Sequence, residues 1–404
     1  MTPAAAGRLR GGRFAGVECD HFDAGRCRSC RWLGLPYAAQ VDDVSRLARE
    51  ALPWVPERAW EPTATGPESG FRNKAKMVVA GSASEPTLGI LDPSGRGVDL
   101  RDCGLHDPRL QQALPVLAGH IATAGLTPYD VPSRRGELKH VLVTVAPGGQ
   151  LMVRWVLRST EALPRLRKHL PGLVDALPEL VVASANIQPR HAAVLEGPEE
   201  HLLTAQTALP IDLPLEPHRT ELRLRLQPGG FLQTNHHVAA QLYETAGRWL
   251  GDPADPAHRQ GVWDLFCGVG GFALALAARR AEEEVVGVES SPEAVAAARE
   301  AAAAAGARVE FVAADAAAYA EACPPDQHPG TVIVNPPRRG IGGLADWLAR
   351  SRVERVLYSS CHLGSLGADL ARLPGWEVTR ARAFDMFPQT AHIETAVLLE
   401  RQVG

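Results

Sequence analysis

The sequence lacks the features that would place it at once in a simple class. Its 42 basic and 46 acidic side chains give a formal charge of −4, so the total charge does not indicate a nucleic-acid partner. No apolar run approaches the length of a membrane span. No apolar segment of about 7–15 residues follows the N-terminal arginines, as a secretory signal requires. We therefore expect a cytoplasmic protein with no membrane partner.

The cysteines argue against a disulfide framework. There are seven, an odd number, which in a cytoplasmic chain favours metal binding or catalysis. Cys19, Cys27 and Cys30 follow the pattern C-x7-C-x2-C, and Cys103 stands apart. Zinc and a [4Fe–4S] cluster both take four thiolates. The spacing fits neither a zinc ribbon nor a ferredoxin run, so a metal site is expected but its type stays open. Four buried cysteines without metal are less favoured, because Arg and Asp surround them.

Basic residues are clustered rather than in excess. The strand pattern that begins at Phe71 carries Arg72, Lys74 and Lys76, and a second patch spans residues 134–140. Such patches suit a polyanion, and an aromatic side chain at the head of a basic strand can stack a base. The alternative is an edge strand protected by lysines.

The chain divides into four predicted parts. Residues 1–17 are a flexible basic tail, 18–105 a cysteine-bearing segment with RNA-contacting strands, 106–215 a central α+β domain, and 216–404 an α/β domain. The clearest linker is the polar, proline-bearing segment 251–260. Within the first three parts, helices are predicted at 40–51, 107–124 and 160–169, and strands at 71–79, 88–91, 137–145, 151–157, 180–187 and 192–196.

The C-terminal part alternates strands and helices, which indicates a doubly wound sheet of Rossmann type. We expect its last strand to be antiparallel. Its first turn, Phe266-Cys-Gly-Val-Gly-Gly271, follows a short apolar run, and Glu289 ends the next. Glycines allow a close approach to a ligand, and the carboxylate can hold ribose hydroxyls. Because ligands bind at the carboxyl ends of parallel strands, Asp315, Asn335 and Cys361 are further candidates. From the glycine turn alone, a dehydrogenase and a methyltransferase are both possible.

The turn Asn335-Pro-Pro337 favours a methyltransferase. Enzymes that transfer a methyl group from S-adenosylmethionine to a flat nitrogenous ring commonly place such a turn against the ring. Cys361 could add to C6 of uracil and activate C5, and Arg338 and Arg339 are expected to lower the pKa of its thiol. Glu394, at the head of the last predicted strand, is the best candidate for the base that removes the C5 proton.

Taken together, these segments carry a family resemblance. The chain resembles the S-adenosylmethionine-dependent RNA uracil-C5 methyltransferases, most closely those that act on 23S ribosomal RNA. The matching segments lie in one order from Cys19 to Glu394: AGRCRSC, GFRNKAKMVV, RRGELK, NIQP, FLQTN, WDLFCGVGGF, VNPPRRGIG, YSSC and FDMFPQTAHIE.

The resemblance implies a role for each candidate residue. It implies a [4Fe–4S] cluster on Cys19, Cys27, Cys30 and Cys103. It implies contacts to S-adenosylmethionine from Gln233, Phe266, Glu289 and Asn335. It also implies Cys361 as the nucleophile and Glu394 as the base.

The resemblance implies 23S ribosomal RNA, free or in an assembly intermediate, as the partner, with no obligate protein partner. Cys19 comes too early to leave room for the small N-terminal β-barrel of a sister ribosomal enzyme, and the cysteines argue against the transfer-RNA enzyme. Two alternatives remain: the same chemistry on transfer RNA or another ribosomal uridine, and a non-catalytic RNA-binding protein that carries a cluster.

Overall fold

The computed structural model describes residues 17–215, 220–251, 261–279 and 284–402. The predicted tail lies outside these ranges apart from residue 17, and the predicted linker apart from residue 251. Among the described residues, no helix is both long and apolar enough to cross a membrane.

The N-terminal segment contains a short helix α1 (Asp20–Asp23) and a longer helix α2 (Tyr37–Ala51). Helix α2 begins three residues before the predicted 40–51, directly after Pro36. Its buried residues Gln40, Val44 and Ala48 are four apart, so they form one face of the helix.

A mixed sheet fills the middle of the chain. Within residues 17–215 the order is β3-β2-β1-β4-β5-β6-β7, and only β5 and β6 pair in parallel among the neighbours. Helices α3 (Pro108–Thr123) and α4 (Leu163–Ala176) share a hydrophobic core with this sheet. The strands are β1 (Lys74–Gly81), β2 (Pro86–Leu91), β3 (Gly97–Asp99), β4 (Leu138–Val145), β5 (Leu151–Leu157), β6 (Leu180–Ile187) and β7 (Glu199–Leu202).

Two predictions in this region were wrong. Helix α4 does not end near residue 169 but continues past Pro171, and Leu173 beyond the proline is buried in the core. The strand predicted at 192–196 is absent from the described chain, and pairing resumes only at β7. Asn186 holds the intervening loop, since its side chain bonds both the N–H and the C=O of Gly197, at 2.7 and 3.0 Å.

A hairpin of β8 (Leu209–Leu215) and β9 (Thr220–Leu226) leads to helix α5 (His236–Trp249). Strand β8 was not predicted, because it contains two prolines. They occupy its outward positions, whereas every second residue from Leu209 to Leu215 is buried. The predicted domain limit between residues 215 and 216 falls between these paired strands, and the domain limits stay predictions.

The C-terminal sheet is the predicted doubly wound, Rossmann-like sheet with an antiparallel last strand. Its order is β12-β11-β10-β13-β14-β16-β15, in which β10 to β14 are parallel and β16 runs antiparallel to both neighbours. The strands are β10 (Val262–Leu265), β11 (Val285–Glu289), β12 (Val309–Ala313), β13 (Thr331–Val334), β14 (Arg355–Ser360), β15 (Trp376–Phe384) and β16 (Glu394–Arg401). The helices between them are α6 (Gly271–Ala277), α7 (Pro292–Ala305), α8 (Ala316–Ala322), α9 (Leu344–Arg350) and α10 (Leu363–Leu370).

The turn between β10 and α6 depends on glycine at position 270. Its φ is +83°, and a Cβ there would lie 2.7 Å from the ring of Phe311, which is buried. Gly306, at the end of α7, has a similar φ of +63°, but a Cβ there would meet open space. We therefore expect Gly306→Ala to lower the free energy of unfolding by about 1–3 kcal/mol through backbone strain alone.

Gly270→Ala should lower the free energy of unfolding by a further ~1–3 kcal/mol, because it adds overpacking to the strain. Urea unfolding of the two variants measures the difference. Equal losses would show that the contact with Phe311 relaxes without cost.

Candidate active site

The sheet order reverses between β10 and β13, and a cleft of about 740 Å³ opens at the carboxyl ends of these strands. This is where ligands bind to doubly wound sheets. All seven candidate residues from the sequence line this one cleft: Gln233, Phe266, Glu289, Asp315, Asn335, Cys361 and Glu394.

The glycine turn and Glu289 form one side of the cleft. The N–H of Gly268 donates to Glu289 Oε2 at 3.1 Å, and the N–H of Ser291 donates to Oε1 at 3.0 Å. Phe266, which precedes the turn, has a φ of +64°, unusual for a residue with a side chain. The backbone thus fixes the carboxylate at the end of β11 but leaves it acceptor capacity for a ligand, such as the hydroxyls of a ribose.

Two polar residues support this side of the cleft although no sequence pattern singled them out for a role. Asp264 on β10 is fully buried and accepts a hydrogen bond from the N–H of Ala273 in α6 at 2.9 Å; burial raises its pKa to about 7. Tyr243 on α5 lines the cleft and packs edge-on against Phe272 at 5.0 Å.

Asn335 follows β13 in a turn that Asp369 of α10 holds in place. Asp369 Oδ2 accepts hydrogen bonds from the N–H of Ile341 at 2.9 Å and from the hydroxyl of Tyr358 at 2.7 Å. The segment after Asn335 is therefore tied to α10 and β14. Asn335 itself is half-buried at the edge of the cleft, where its amide can meet a ligand.

Cys361 directly follows β14 and is half-buried. The pKa of its thiol is raised, mainly by burial and next by the charge of Glu394; the Arg338 side chain, which hydrogen-bonds to it, acts in the opposite direction. The expected lowering of this pKa was therefore wrong in sign. Arg338 has the predicted influence, but burial outweighs it, and Arg339 is exposed.

Glu394 begins β16 and is only 1% exposed. Burial raises its pKa to about 7, against the effect of the Ser359 hydroxyl, which donates to Oε1 at 2.6 Å. The antiparallel register pairs Ser360 with Thr395, so the residues one step further, Cys361 and Glu394, come together across the two strands. A thiol and a carboxyl group that titrates near neutrality therefore share one end of the cleft.

His392 also lines this end of the cleft and was missed by the sequence reasoning. Its Nδ1 lies 3.5 Å from the Arg338 guanidinium, and its ring meets Phe387 edge-on at 6.1 Å. Burial and the charges of Arg338, Arg31 and Arg72 lower its pKa, so it is neutral at physiological pH.

The four cysteines predicted to bind a cluster lie outside the cleft but close to one another. All are half-buried free thiols. The pKa of Cys30 is raised to about 11 by burial and by Cys103, Cys27 and Cys19. In the part of the chain that the structure describes, no group of three or more His, Cys, Asp or Glu is arranged to hold a metal ion.

Several residues of the two basic patches predicted to contact RNA, Phe71 among them, are wholly or partly buried. Phe71 is 3% exposed, so it cannot stack a base. Lys139 is buried and donates to the carbonyls of Gln188 and Arg190 at 2.7 and 2.8 Å. Lys74 is half-buried, and burial lowers its pKa to about 8. Other members of the two patches remain accessible: Lys76, which lines the cleft, and Arg134 and Arg135.

Comparisons with known proteins point to one family. Residues 210–402 match the family described as tRNA (Uracil-5-)-methyltransferase. The chain is 42% identical over 386 residues to the 23S rRNA (uracil(747)-C(5))-methyltransferase RlmC of Photorhabdus laumondii, covering 95% of this chain and 99% of that protein. It is 43% identical over 389 residues to the enzyme of the same name from Escherichia coli (strain SMS-3-5 / SECEC), covering 96% and 100%.

A solved structure shares the fold over nearly the whole chain. The tRNA (uracil-54, C5)-methyltransferase of Pyrococcus abyssi, in complex with S-adenosyl-L-homocysteine, superimposes with a TM-score of 0.73. The match covers 92% of this chain and 85% of that chain at 20% identity.

The raised pKa of Glu394 predicts a pH-dependent stability. Between its ordinary pKa of 4.5 and its folded value of about 7, the carboxyl group is ionised in the unfolded chain but protonated in the folded one. Stability should therefore fall as pH rises through this window, by up to about 3 kcal/mol. Glu394→Gln, which keeps the shape of the side chain, should remove this part of the pH dependence.

Urea unfolding of both proteins at several pH values between 4.5 and 8 measures the effect. Asp264 and Asp385 titrate in the same direction in both proteins, so only the difference between the two curves reports on Glu394. Parallel curves would contradict the raised pKa.

Proposed function

The chain belongs to the family of RNA uracil-C5 methyltransferases, and from this premise we propose that it transfers a methyl group from S-adenosylmethionine to C5 of a uridine in 23S ribosomal RNA. The proposal is carried by one observation: a thiol and a buried carboxyl group meet at one end of a cleft whose other end holds a fixed acidic residue, Glu289. The 42–43% identity to the two ribosomal RNA enzymes, which extends over 99–100% of their lengths, supports the substrate class.

In this proposal the glycine side of the cleft binds S-adenosylmethionine. Glu289 accepts from the ribose hydroxyls, Phe266 packs against the nucleoside, and Gln233 and Asn335 supply amide groups to the polar parts. The residues fit such a ligand, since Glu289 lines the cleft and keeps acceptor capacity beyond the hydrogen bonds that it accepts from the N–H groups of Gly268 and Ser291.

Cys361 starts the chemistry. Uracil C5 is too weak a nucleophile to accept a methyl group unaided. The Cys361 thiolate adds to C6, and the electron pair displaced to C5 then attacks the methyl group. The bond from this methyl group to the sulfonium sulfur breaks, and S-adenosylhomocysteine leaves. The uridine must first leave its stack, because C6 has to face the sulfur. Arg338 promotes the step by stabilising the thiolate against burial and against Glu394.

Glu394 completes the reaction. After methyl transfer, C5 carries both the methyl group and a proton. The Glu394 carboxylate takes this proton, the C5–C6 double bond reforms, and the bond from C6 to Cys361 breaks to release the thiolate. A pKa of about 7 suits a group that must accept a proton and return it to water at neutral pH.

Two substitutions separate these roles. Cys361→Ala should abolish both methyl transfer and covalent trapping, because no adduct can form. Glu394→Gln should allow addition and methyl transfer but block release, so that protein and RNA remain covalently joined. The measurements are transfer of labelled methyl groups to 23S ribosomal RNA and the denaturant-resistant complex on a gel, with 5-fluorouridine RNA as the trap for the native protein.

Full activity of Cys361→Ala would contradict the covalent mechanism. Methylation of transfer RNA but not of ribosomal RNA would show that the protein carries out the same reaction on transfer RNA. A native protein that neither methylates nor becomes trapped would be a non-catalytic RNA-binding protein.

We further propose that Cys19, Cys27, Cys30 and Cys103 hold a [4Fe–4S] cluster. The four thiols lie close together in a half-buried site, and burial and the neighbouring cysteines raise the pKa of Cys30 and Cys103. The positive charge of a metal centre would reverse this effect and favour the thiolates. The cluster would tie the N-terminal segment to the loop before α3.

Cys30→Ser should lower the iron and sulfide content of protein prepared without oxygen and weaken its brown colour, because one thiolate ligand is lost. Cys323→Ser is the matched control: Cys323 is also a half-buried free thiol, but it lies beside Asp326 and Tyr319 rather than the other cysteines. A colourless native protein that contains zinc would overturn the assignment.

A further inference from the structure

The segment after Cys30 packs on the loop of residues 385–393, which connects β15 to β16 and leads into Glu394. The N–H of Trp32 donates to the carbonyl oxygen of Gln389 at 3.1 Å. The cysteine-bearing segment therefore contacts the loop that presents Glu394 to the cleft, although the two lie near opposite ends of the chain.

Gln40 and Gln389 interlock through their amide groups. Both are almost fully buried, at 1% and 2% exposure. Gln40 Nε2 donates to Gln389 Oε1 at 2.9 Å, and the backbone N–H of Gln389 donates to Gln40 Oε1 at 3.0 Å. Gln40 Nε2 also donates to the carbonyl of Leu35 at 3.0 Å. Since a buried amide that loses its partner is costly, this pair fixes the loop against α2.

The conformation of Gln389 indicates that the loop is held in place from outside. Its φ is +70°, a region that residues with side chains rarely adopt. Such a conformation persists only where the surrounding contacts determine it, and it is found where a site must be pre-organised. Here the contacts come from Gln40, Trp32 and the carbonyl of Glu68, which accepts from Gln389 Nε2 at 3.4 Å.

Helix α2 also holds both ends of the loop. At the start, the hydroxyl of Tyr37 donates to Asp385 Oδ2 at 2.8 Å. At the end, Ile393 belongs to a small core with Val44 and Ala48 of α2. The loop is thus fixed at its start, middle and end by one helix, and Glu394 follows directly.

We propose that Gln40 is a positioning residue for Glu394: through Gln389 it holds the loop so that the carboxylate reaches the proton on C5. This inference rests on the proposed function. It predicts a particular defect, because Cys361 and the side of the cleft that contains Glu289 lie on other segments, and the loop's link to Cys361 is indirect, through His392 and Arg338. Addition and methyl transfer should proceed, whereas release of the product should slow.

The test substitution is Gln40→Met, which keeps the length of the side chain and removes its hydrogen bonds. We expect affinity for S-adenosylhomocysteine, measured by calorimetry, to stay within about twofold, since its residues are unchanged. Turnover should fall roughly tenfold to a hundredfold, the usual effect of a misplaced catalytic group. The covalent complex with ordinary uridine RNA should accumulate, as it should for Glu394→Gln.

Two further variants make the result decisive. Gln389→Gly removes one of the two hydrogen bonds of this pair, the bond from Gln40 Nε2 to Gln389 Oε1, and keeps the backbone N–H that donates to Gln40 Oε1. Glycine accepts the positive φ without strain, so this variant serves if Gln40→Met does not fold. Gln188→Met is the matched control, because Gln188 is also a fully buried glutamine, but its side chain bonds Lys139 and Val194 in the central sheet. If Gln40→Met acted only by weakening the fold, both it and Gln188→Met would contain less folded protein, and neither would accumulate the covalent complex with RNA.

The inference is overturned if the rate of product release per folded molecule is the same for Gln40→Met and Gln389→Gly as for Gln188→Met. Failure of the proposed function is a separate result, since then the native protein itself would form no complex with 5-fluorouridine RNA.

Discussion

Parallel pairing of β10, β11, β13 and β14 is the constraint on which the site depends. It aligns the carboxyl ends of four strands at one edge of the sheet, so residues from well-separated segments share one cleft. The single antiparallel strand, β16, then runs against β14 and brings its first residue to this same edge. A parallel last strand would place Glu394 at the opposite edge, away from Cys361.

Burial sets the reactivity within this cleft. It raises the pKa of Glu394 to about 7, which keeps a carboxyl group able to exchange a proton at neutral pH. The same burial raises the pKa of Cys361, so the thiolate depends on Arg338. In the proposed mechanism, burial therefore makes the Cys361 thiolate harder to form and makes the Glu394 carboxylate a stronger base. Burial also raises the pKa of Asp264, which lies beneath the glycine turn. Asp264 holds α6 in place through the hydrogen bond that it accepts from the N–H of Ala273.

The N-terminal segment has a clearer relation to the site in space than in sequence. Its cysteines lie far along the chain from Cys361 and Glu394, yet Trp32, Gln40 and Tyr37 all contact the loop that ends at Glu394. A cluster on these cysteines would stiffen the turn from which Trp32 reaches Gln389. This would give the proposed cluster a structural role, since the proposed methyl transfer needs no electron exchange with a metal.

The sequence by itself determined the doubly wound sheet, the glycine turn and the candidate cleft residues at strand ends, because hydrophobic periodicity and strand ends are local properties; Gln233 was implied only by the family resemblance. It also predicted five of the seven strands of the central sheet but missed β3 and β7, and it placed a strand at 192–196 where Asn186 closes a loop. Outside this sheet it missed β8, whose two prolines stand in an alternating pattern. Only the tertiary structure decided the sign of the Cys361 pKa shift, the burial of Lys139 and Phe71, and the contact of Gln40 with Gln389. Burial and long-range pairing depend on what lies opposite each residue in space, which no local pattern records.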